Sequence, residues 1–194
     1  PLKRALPEAR LVTIFRDPRS AAASAAKNLA GRNVVSAAQR WAARAREADA
    51  FREAFPGDYM ELRYESFVAD PEQGCRDLCT FLGIPFDARM LAHYEDNADH
   101  ARVLAGHEDK HARTAQPINP DRIDSWRKEL SGGQVHLVEA AAREEMHARG
   151  YEPCHSSRYG TMERAGVQLR MAIENSRGWG AVRRAFSRHR GDER

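Results

Sequence analysis

A short apolar run leads directly into an alanine-rich stretch near the start of the chain. Leu11–Phe15 is apolar and rich in β-branched residues, which is typical of a strand buried on both faces of a parallel sheet. Asp17 and Pro18 follow it as an N-cap acceptor and a first-turn proline. Arg19–Leu29 is mostly alanine and can continue as a helix. The pattern therefore predicts a strand that ends at Arg16 and runs straight into a helix.

The remaining hydrophobic pattern predicts one further strand and several helices. The second strand is predicted at Tyr59–Tyr64, and the loop at Asn97–Pro120 is polar, aperiodic and long enough to be functional. Strand, helices and strand in this order predict an α/β fold with a parallel sheet and flanking helices. The predicted later and intervening helices are Ser36–Phe55, Pro71–Leu82, Phe86–Tyr94, Arg122–Leu130 and Gln134–Arg149.

Polar side chains gather at the first strand-to-helix junction. A strand that runs into a helix leaves backbone N–H groups and the positive end of the helix dipole at the carboxyl edge of the sheet, where anions bind. Arg16 lies at that edge, and Ser20 and Ser24 are four residues apart, so they share a helix face. Together these groups predict a phosphate-binding site. Because only Arg16 ends the strand, we expect Arg19 to contribute less to phosphate binding.

These residues also resemble part of a known family. Arg16-Asp17-Pro18 followed by Ser24 is similar to the 3′-phosphate-binding segment of sulfotransferases that use 3′-phosphoadenylyl sulfate (PAPS). A second block, Leu62–Pro71 with Phe81–Ile84, resembles the next block of the same family. A third, Pro117-Ile118 with Ile123, Ser125–Leu130 and Gly150–Glu152, resembles the C-terminal end of bacterial sulfotransferase domains. The resemblance implies a P-loop-nucleotide-hydrolase-like α/β domain over residues 1–152. The arginines and interspersed apolar residues of the remaining chain predict a basic, helical extension over residues 153–194.

The resemblance implies a nucleotide site and a reaction. Arg16 and Ser24 would hold the 3′-phosphate, Tyr64 would lie against the adenine, and Arg113 would be a further 3′-phosphate contact. The cofactor would be PAPS, or adenosine 3′,5′-bisphosphate (PAP) after transfer. The reaction would move a sulfuryl group to a hydroxyl or amine of a small-molecule, lipid or glycan acceptor. No residue is assigned as the catalytic base, and no metal is expected.

One segment of the family pattern does not occur in the sequence. Sulfotransferases hold the 5′-phosphosulfate on a loop of the form Pro-Lys-x-Gly-Thr/Ser-Thr/Ser, and neither this loop nor Gly-x-x-x-x-Gly-Lys-Ser/Thr is found here. The resemblance thus implies the C-terminal two-thirds of a sulfotransferase domain, which we do not expect to transfer sulfuryl groups on its own. The alternative is a non-catalytic nucleotide-binding or interaction fragment.

Two short motifs point to other classes of protein. Leu130–Gln134 spells LSGGQ, the signature of ABC-transporter ATPases, but the residues after it predict a helix where those proteins have a strand. Ser131 is therefore predicted to be an N-cap between two helices. His107–His111 spells HExxH, the motif of zinc hydrolases, but the segment has no apolar face that would hold it as a stable helix. An ABC ATPase fragment and a zinc hydrolase are kept as minor alternatives.

Composition and charge limit the remaining classes. The 194 residues are 42% hydrophobic and 30% charged, as in one soluble domain, and no apolar run approaches the roughly 20 residues that span a membrane. The net charge is +3, but residues 158–194 carry nine arginines against four carboxylates. The rest of the chain is therefore slightly acidic, which argues against nucleic-acid binding. The tail is a candidate for binding a membrane surface, and a helix packed on the domain is the alternative.

Three cysteines are too few, and too irregularly spaced, for a disulfide framework. Their odd number favours a reducing compartment, and we expect the protein to be cytoplasmic. Cys75 and Cys79 fall on one face of a predicted helix, so packing is their expected role.

Overall fold

The computed structural model describes residues 2–28, 33–92, 118–120, 123–154, 169 and 172. These residues belong to two units, one formed by Pro1–Phe15 with Ala54–Arg122 and the other by Arg16–Glu53 with Ile123–Arg194. The first unit holds the sheet, and the described part of the second is helical. Within the described ranges, no helix is long and apolar enough to cross a membrane. The predicted extension over residues 153–194 lies outside the described residues, except for positions 153, 154, 169 and 172.

A parallel pair of strands forms the sheet of the first unit. Strand β1 (Leu11–Phe15) pairs with β2 (Tyr59–Arg63), with Leu11 opposite Tyr59 and Phe15 opposite Arg63. Parallel neighbours need a long connection, and here the intervening chain contains helices α2 (Pro18–Asn28) and α3 (Val34–Ala54). The predicted α/β class, with a parallel sheet and flanking helices, is confirmed.

Strand β1 is less buried than its sequence predicts. Phe15 is buried, but Ile14 is 61% exposed. Leu62, the register partner of Ile14 in β2, is buried, so the exposure is local to Ile14. The expectation that both faces of the strand are buried is wrong at Ile14.

In its described residues the first unit has helices α1 (Leu2–Ala5), α4 (Tyr64–Ala69) and α5 (Pro71–Leu82), with 3₁₀ turns at Pro56–Asp58 and Ala88–Ala92. Helix α5 begins and ends where the sequence predicts. Asp70 Oδ1 accepts a hydrogen bond from the Gln73 N–H at 3.0 Å, and Gly83 ends the helix with a left-handed φ of 71°. Cys75 and Cys79 are buried on this helix, as predicted.

Two predictions for the first unit are corrected. Strand β2 ends at Arg63, and Tyr64 is the first residue of α4 rather than the last residue of the strand. The helix predicted over residues 86–94 is a 3₁₀ turn at Ala88–Ala92, and residues 93 and 94 lie outside the described residues. Short segments with mixed aromatic and polar residues fit either period, so their pattern cannot separate a strand from one or two helical turns.

The second unit contains α2, α3 apart from its last residue, α6 (Trp126–Glu129), α7 (Gly132–Ala141) and α8 (Arg143–Ala148). Helix α3 buries Trp41, Ala45 and Ala48. Ala23 of α2 packs with Trp126 and Val135 in a small hydrophobic core, against which Leu130 is also packed.

The predicted helix over Gln134–Arg149 is in fact two helices. Ala142 leaves helical geometry, with φ −125° and ψ 20°, and separates α7 from α8. Helix α7 begins earlier than predicted, with a capping box in which Ser131 Oγ accepts from the Gln134 N–H (3.3 Å) and Gln134 Oε1 accepts from the Ser131 N–H (2.9 Å). The LSGGQ motif is therefore a helix cap, and a helix lies where an ABC ATPase has a strand.

The helix predicted over Arg122–Leu130 is shortened to the single turn α6.

Gly74 lies in α5 against the ring of Phe67, and we predict that Gly74→Ala lowers the free energy of unfolding by about 1 kcal/mol. An added Cβ would clash with Phe67 Cδ2 and lie 2.9 Å from Cε2, and overpacking of this kind costs about 1–3 kcal/mol against about 1 kcal/mol of gained helix propensity. Gly133→Ala in α7 is the control, since nothing lies within 4 Å of its added Cβ. Urea denaturation of both variants is the measurement; a stabilised Gly74→Ala protein would contradict the packing.

The three thiols differ in burial, and we predict that iodoacetamide modifies Cys154 of the folded protein while Cys75 is protected. Cys154 is exposed, whereas burial, and then the charge of Cys79, raise the pKa of Cys75 above its ordinary value. Cys75 should therefore stay slow to react as the pH rises, until the pH passes its folded-state pKa. Peptide mass spectrometry after a timed reaction measures this, and equal labelling of both sites without denaturant would refute it.

Candidate phosphate-binding site

The order of elements along the chain at Arg16 is the one that the sequence predicts. Strand β1 ends at Phe15, the half-buried Arg16 follows, and α2 begins at Pro18. The Trp41 indole Nε1–H donates a hydrogen bond of 3.0 Å to the backbone oxygen of Arg16. Because Trp41 is buried in α3, this bond fixes the backbone from which the Arg16 side chain extends.

Asp17 caps the first turn of α2. Its Oδ1 accepts from the Arg19 N–H at 2.8 Å, and its backbone oxygen accepts from the Ala21 N–H at 2.9 Å. Pro18 has no N–H to offer. Positions 18, 19 and 21 of the helix therefore have no backbone N–H left to donate to a ligand. The helix thus offers an anion fewer N–H groups than the sequence implied. Side chains must supply most of the contacts to a phosphate here.

The two serines of the predicted site have different surroundings. Ser20 is buried, and its Oγ donates a 3.0 Å hydrogen bond to the backbone oxygen of Ile123. Ser24, one turn further along α2, is exposed. The expectation that both hydroxyls face an anion is therefore wrong for Ser20. Its hydroxyl proton is used in a hydrogen bond inside the second unit. Ser24 remains accessible to a ligand.

Of the other predicted nucleotide contacts, the structure describes Tyr64 but not Arg113. Tyr64 belongs to the first unit, where it is half-buried at the start of α4. Arg113 and the HExxH segment, residues 107–111, lie outside the described residues. Arg16 and Ser24 share the second unit, while the roles of all four residues stay predictions. No group of three or more His, Cys, Asp or Glu that could hold a metal occurs in the part of the chain that the structure describes.

A buried arginine at the start of α2 is the feature that sequence reasoning missed. Arg19 is 5% exposed, and its guanidinium bonds to both oxygens of the Asp17 carboxylate. Nε donates to Oδ1 at 2.9 Å and to Oδ2 at 3.2 Å, and Nη2 donates to Oδ2 at 2.7 Å. Its Nη1 donates to three further groups: Glu139 Oε1 at 2.9 Å, the Glu152 backbone oxygen at 3.1 Å and Cys154 Sγ at 3.1 Å. The sequence did not predict this burial, and the smaller contribution of Arg19 to phosphate binding stays a prediction.

The surroundings of Arg19 keep its charge. Asp17 and Glu139 are 7% and 4% exposed, and the guanidinium lies 4.3 Å from the centre of the Trp126 ring. Burial by itself lowers the pKa of Arg19, but Asp17, Cys154 and Glu139 together raise the pKa above its ordinary value. The result is a buried ion cluster, Asp17–Arg19–Glu139, that joins the start of α2 to α7.

The position of Glu139 in the sequence could have predicted part of this cluster. It is a single carboxylate among the buried Val135, Leu137 and Val138 of α7. A carboxylate on the apolar face of a helix needs a buried cation as a partner, because an unpaired buried charge is costly. The sequence could therefore have predicted a cation for Glu139, although not which one.

Comparison with known proteins identifies the class of the N-terminal segment. A sequence model of the sulfotransferase family matches residues 1–88, which include β1, β2 and the junction at Arg16-Asp17-Pro18. The resemblance to sulfotransferases is therefore confirmed for this segment, and its parallel α/β arrangement is consistent with the P-loop-like fold of the family.

Two mouse enzymes show the same likeness over about half of the chain. Carbohydrate sulfotransferase 1 of Mus musculus is 28% identical over 100 residues, which are 52% of this chain and 23% of the relative. Carbohydrate sulfotransferase 3 of Mus musculus is 26% identical over 96 residues, 50% of this chain and 19% of the relative. The matched segment thus spans about a quarter or less of the length of these relatives.

We predict that Arg19→Ala lowers the free energy of unfolding by about 3–5 kcal/mol, because it leaves two buried carboxylates without their cation. Arg127→Ala is the matched control. Arg127 also stacks on Trp126, at 4.5 Å, but its side chain is 58% exposed and its partner is the exposed Asp124, so its loss should cost at most about 1 kcal/mol. Urea denaturation at pH 7 compares the two variants. Equal decreases in their free energy of unfolding would show that the ion cluster does not stabilise the unit.

Proposed function

We propose that the start of α2 binds the 3′-phosphate of PAPS. We also propose that the chain is part of a sulfotransferase that moves the sulfuryl group to a hydroxyl or amine acceptor. The observation that carries the proposal is the position of Arg16-Asp17-Pro18, which lies at a strand-to-helix junction inside the segment that matches the sulfotransferase family. A match of the family without this junction would support the class of protein but would give no position for the nucleotide.

Charge and accessibility support a phosphate at this position. The half-buried Arg16 guanidinium can form charge-assisted hydrogen bonds, each worth roughly 1.5–3 kcal/mol. The dipole of the 11-residue helix α2 adds a favourable field at its first turn. Ser24 is exposed and has a hydroxyl that can donate to a phosphate oxygen. Tyr64 as the adenine contact and Arg113 as a second 3′-phosphate contact stay predictions.

We further propose that the acceptor is a glycan hydroxyl or amine, because both mouse relatives are carbohydrate sulfotransferases. In the reaction, the acceptor oxygen or nitrogen attacks sulfur, the bond from sulfur to the phosphate oxygen of PAP breaks, and the acceptor proton passes to a base. Catalysis of such a transfer is chiefly positioning and stabilisation of charge on the sulfate and the leaving phosphate. The sequence contains no Gly-x-x-x-x-Gly-Lys-Ser/Thr loop for these oxygens, so we propose that nucleotide binding is the activity of these residues when they are alone.

Binding of PAP tests the proposal directly. We expect Arg16→Ala to weaken PAP binding by roughly tenfold to 100-fold, the equivalent of about one charge-assisted bond. Arg44→Ala is the matched control because Arg44 is exposed on α3, and it should leave the dissociation constant unchanged. Isothermal titration calorimetry measures both variants, with adenosine 5′-monophosphate as a second ligand. That nucleotide has no 3′-phosphate, so its affinity should not respond to Arg16→Ala.

The outcomes of the titration separate the candidate functions. Equal losses for Arg16→Ala and Arg44→Ala, or no PAP binding by the wild-type chain, would overturn the phosphate assignment. A labelled-sulfate transfer assay with glycan, lipid and small-molecule acceptors then distinguishes an enzyme from a module that binds the nucleotide without chemistry. Binding without transfer would favour the non-catalytic alternative for these 194 residues.

A further inference from the structure

The start of α2 presents an electrostatic conflict for a bound phosphate. Asp17 caps the helix with its carboxylate, so one negative charge already lies where the helix dipole attracts anions. A phosphate held by Arg16, the preceding residue, would lie near this carboxylate. Two anions at one helix terminus repel each other, and the repulsion is stronger in a buried, low-dielectric setting than in water.

Arg19 lies where it offsets the charge of Asp17. Its guanidinium bonds to both Asp17 oxygens, at 2.9 Å and 2.7 Å, and both side chains are buried. This two-point contact is the arrangement in which an arginine neutralises a carboxylate most effectively. We propose that Arg19 is a positioning residue of the phosphate site: it neutralises Asp17 and fixes the first turn of α2, so that Arg16 and Ser24 can receive the phosphate. The inference rests on the function proposed above.

The other end of the guanidinium is held by the C-terminal helical segment. Nη1 donates to Glu139 Oε1 and to the Glu152 backbone oxygen, and Trp126 stacks on the guanidinium plane. Glu139 Oε1 is held in turn by the Cys154 N–H at 2.9 Å. These contacts determine the orientation of Arg19 and hence its two bonds to Asp17. Arg19 therefore acts through Asp17 and does not need to touch the phosphate.

The test is a double-mutant comparison of PAP affinity by calorimetry. All variants carry Glu139→Gln, so that removal of Arg19 leaves no unpaired carboxylate at position 139. In this background we expect Arg19→Gln to weaken PAP binding about tenfold. Adding Asp17→Asn, which keeps a helix-capping side chain and removes its charge, should restore affinity to within about threefold of the background. Arg127→Gln is the control and should leave the affinity unchanged.

The recovery distinguishes neutralisation from a purely structural role. If Arg19 only held the unit together, the double variant would bind no better than Arg19→Gln, since both lack the guanidinium. Loss without recovery, or no loss in Arg19→Gln, would overturn the inference while the function proposed above still held. Absence of PAP binding by the wild-type chain would instead overturn that function, and this inference with it.

A second pair of variants keeps the test decisive if Arg19→Gln does not fold. Arg19→Lys retains the charge without the two-point contact, and Asp17→Asn alone removes the charge that Arg19 neutralises. Neutralisation predicts that both bind PAP within about threefold of the background, whatever happens to the melting temperature. A tenfold loss in either variant, measured below its melting temperature, would overturn the inference.

Discussion

The buried contacts of Arg19 determine how the second unit is arranged. One guanidinium contacts the Asp17 carboxylate before α2, the Glu139 carboxylate in α7 and the backbone oxygen of Glu152 after α8. Charges this deeply buried are tolerated only when they are paired and hydrogen-bonded. The start of α2 and a segment about 120 residues later in the chain must therefore come together in one arrangement, and the position of Arg16 depends on it.

The same unit separates structural contacts from groups that can reach a ligand. The backbone of Arg16 is held by Trp41, and the hydroxyl of Ser20 by Ile123. These bonds restrain the junction and the first turn of α2, while the Ser24 side chain is exposed one turn later. The proposed phosphate site would therefore need little rearrangement on binding, which would reduce the entropic cost of positioning a ligand there.

Local signals explain the elements that could be predicted from the sequence, and distant contacts explain those that could not. Helix α5 was predicted with its true bounds because Asp70 and Gly83 mark its ends through bonds within a few residues. The break at Ala142 has no such marker, and the burial of Arg19 depends on Glu139, far away in the chain. Arg16 was placed at the junction correctly because a strand followed by Asp-Pro defines that position locally, whereas the loss of Ser20 from the site could not be seen without its distant partner.

The central claim is that the start of α2 receives the 3′-phosphate of the nucleotide. Its most direct test is a titration of ¹⁵N-labelled protein with PAP, followed by amide shifts in NMR spectra and compared with adenosine 5′-monophosphate. The account predicts saturable shifts at the amides of Arg16, Ser20 and Ser24 that are much larger with PAP, because only PAP carries the 3′-phosphate. Shifts that are equal for the two nucleotides, or that leave α2 unaffected and occur in α7 and α8, would contradict it.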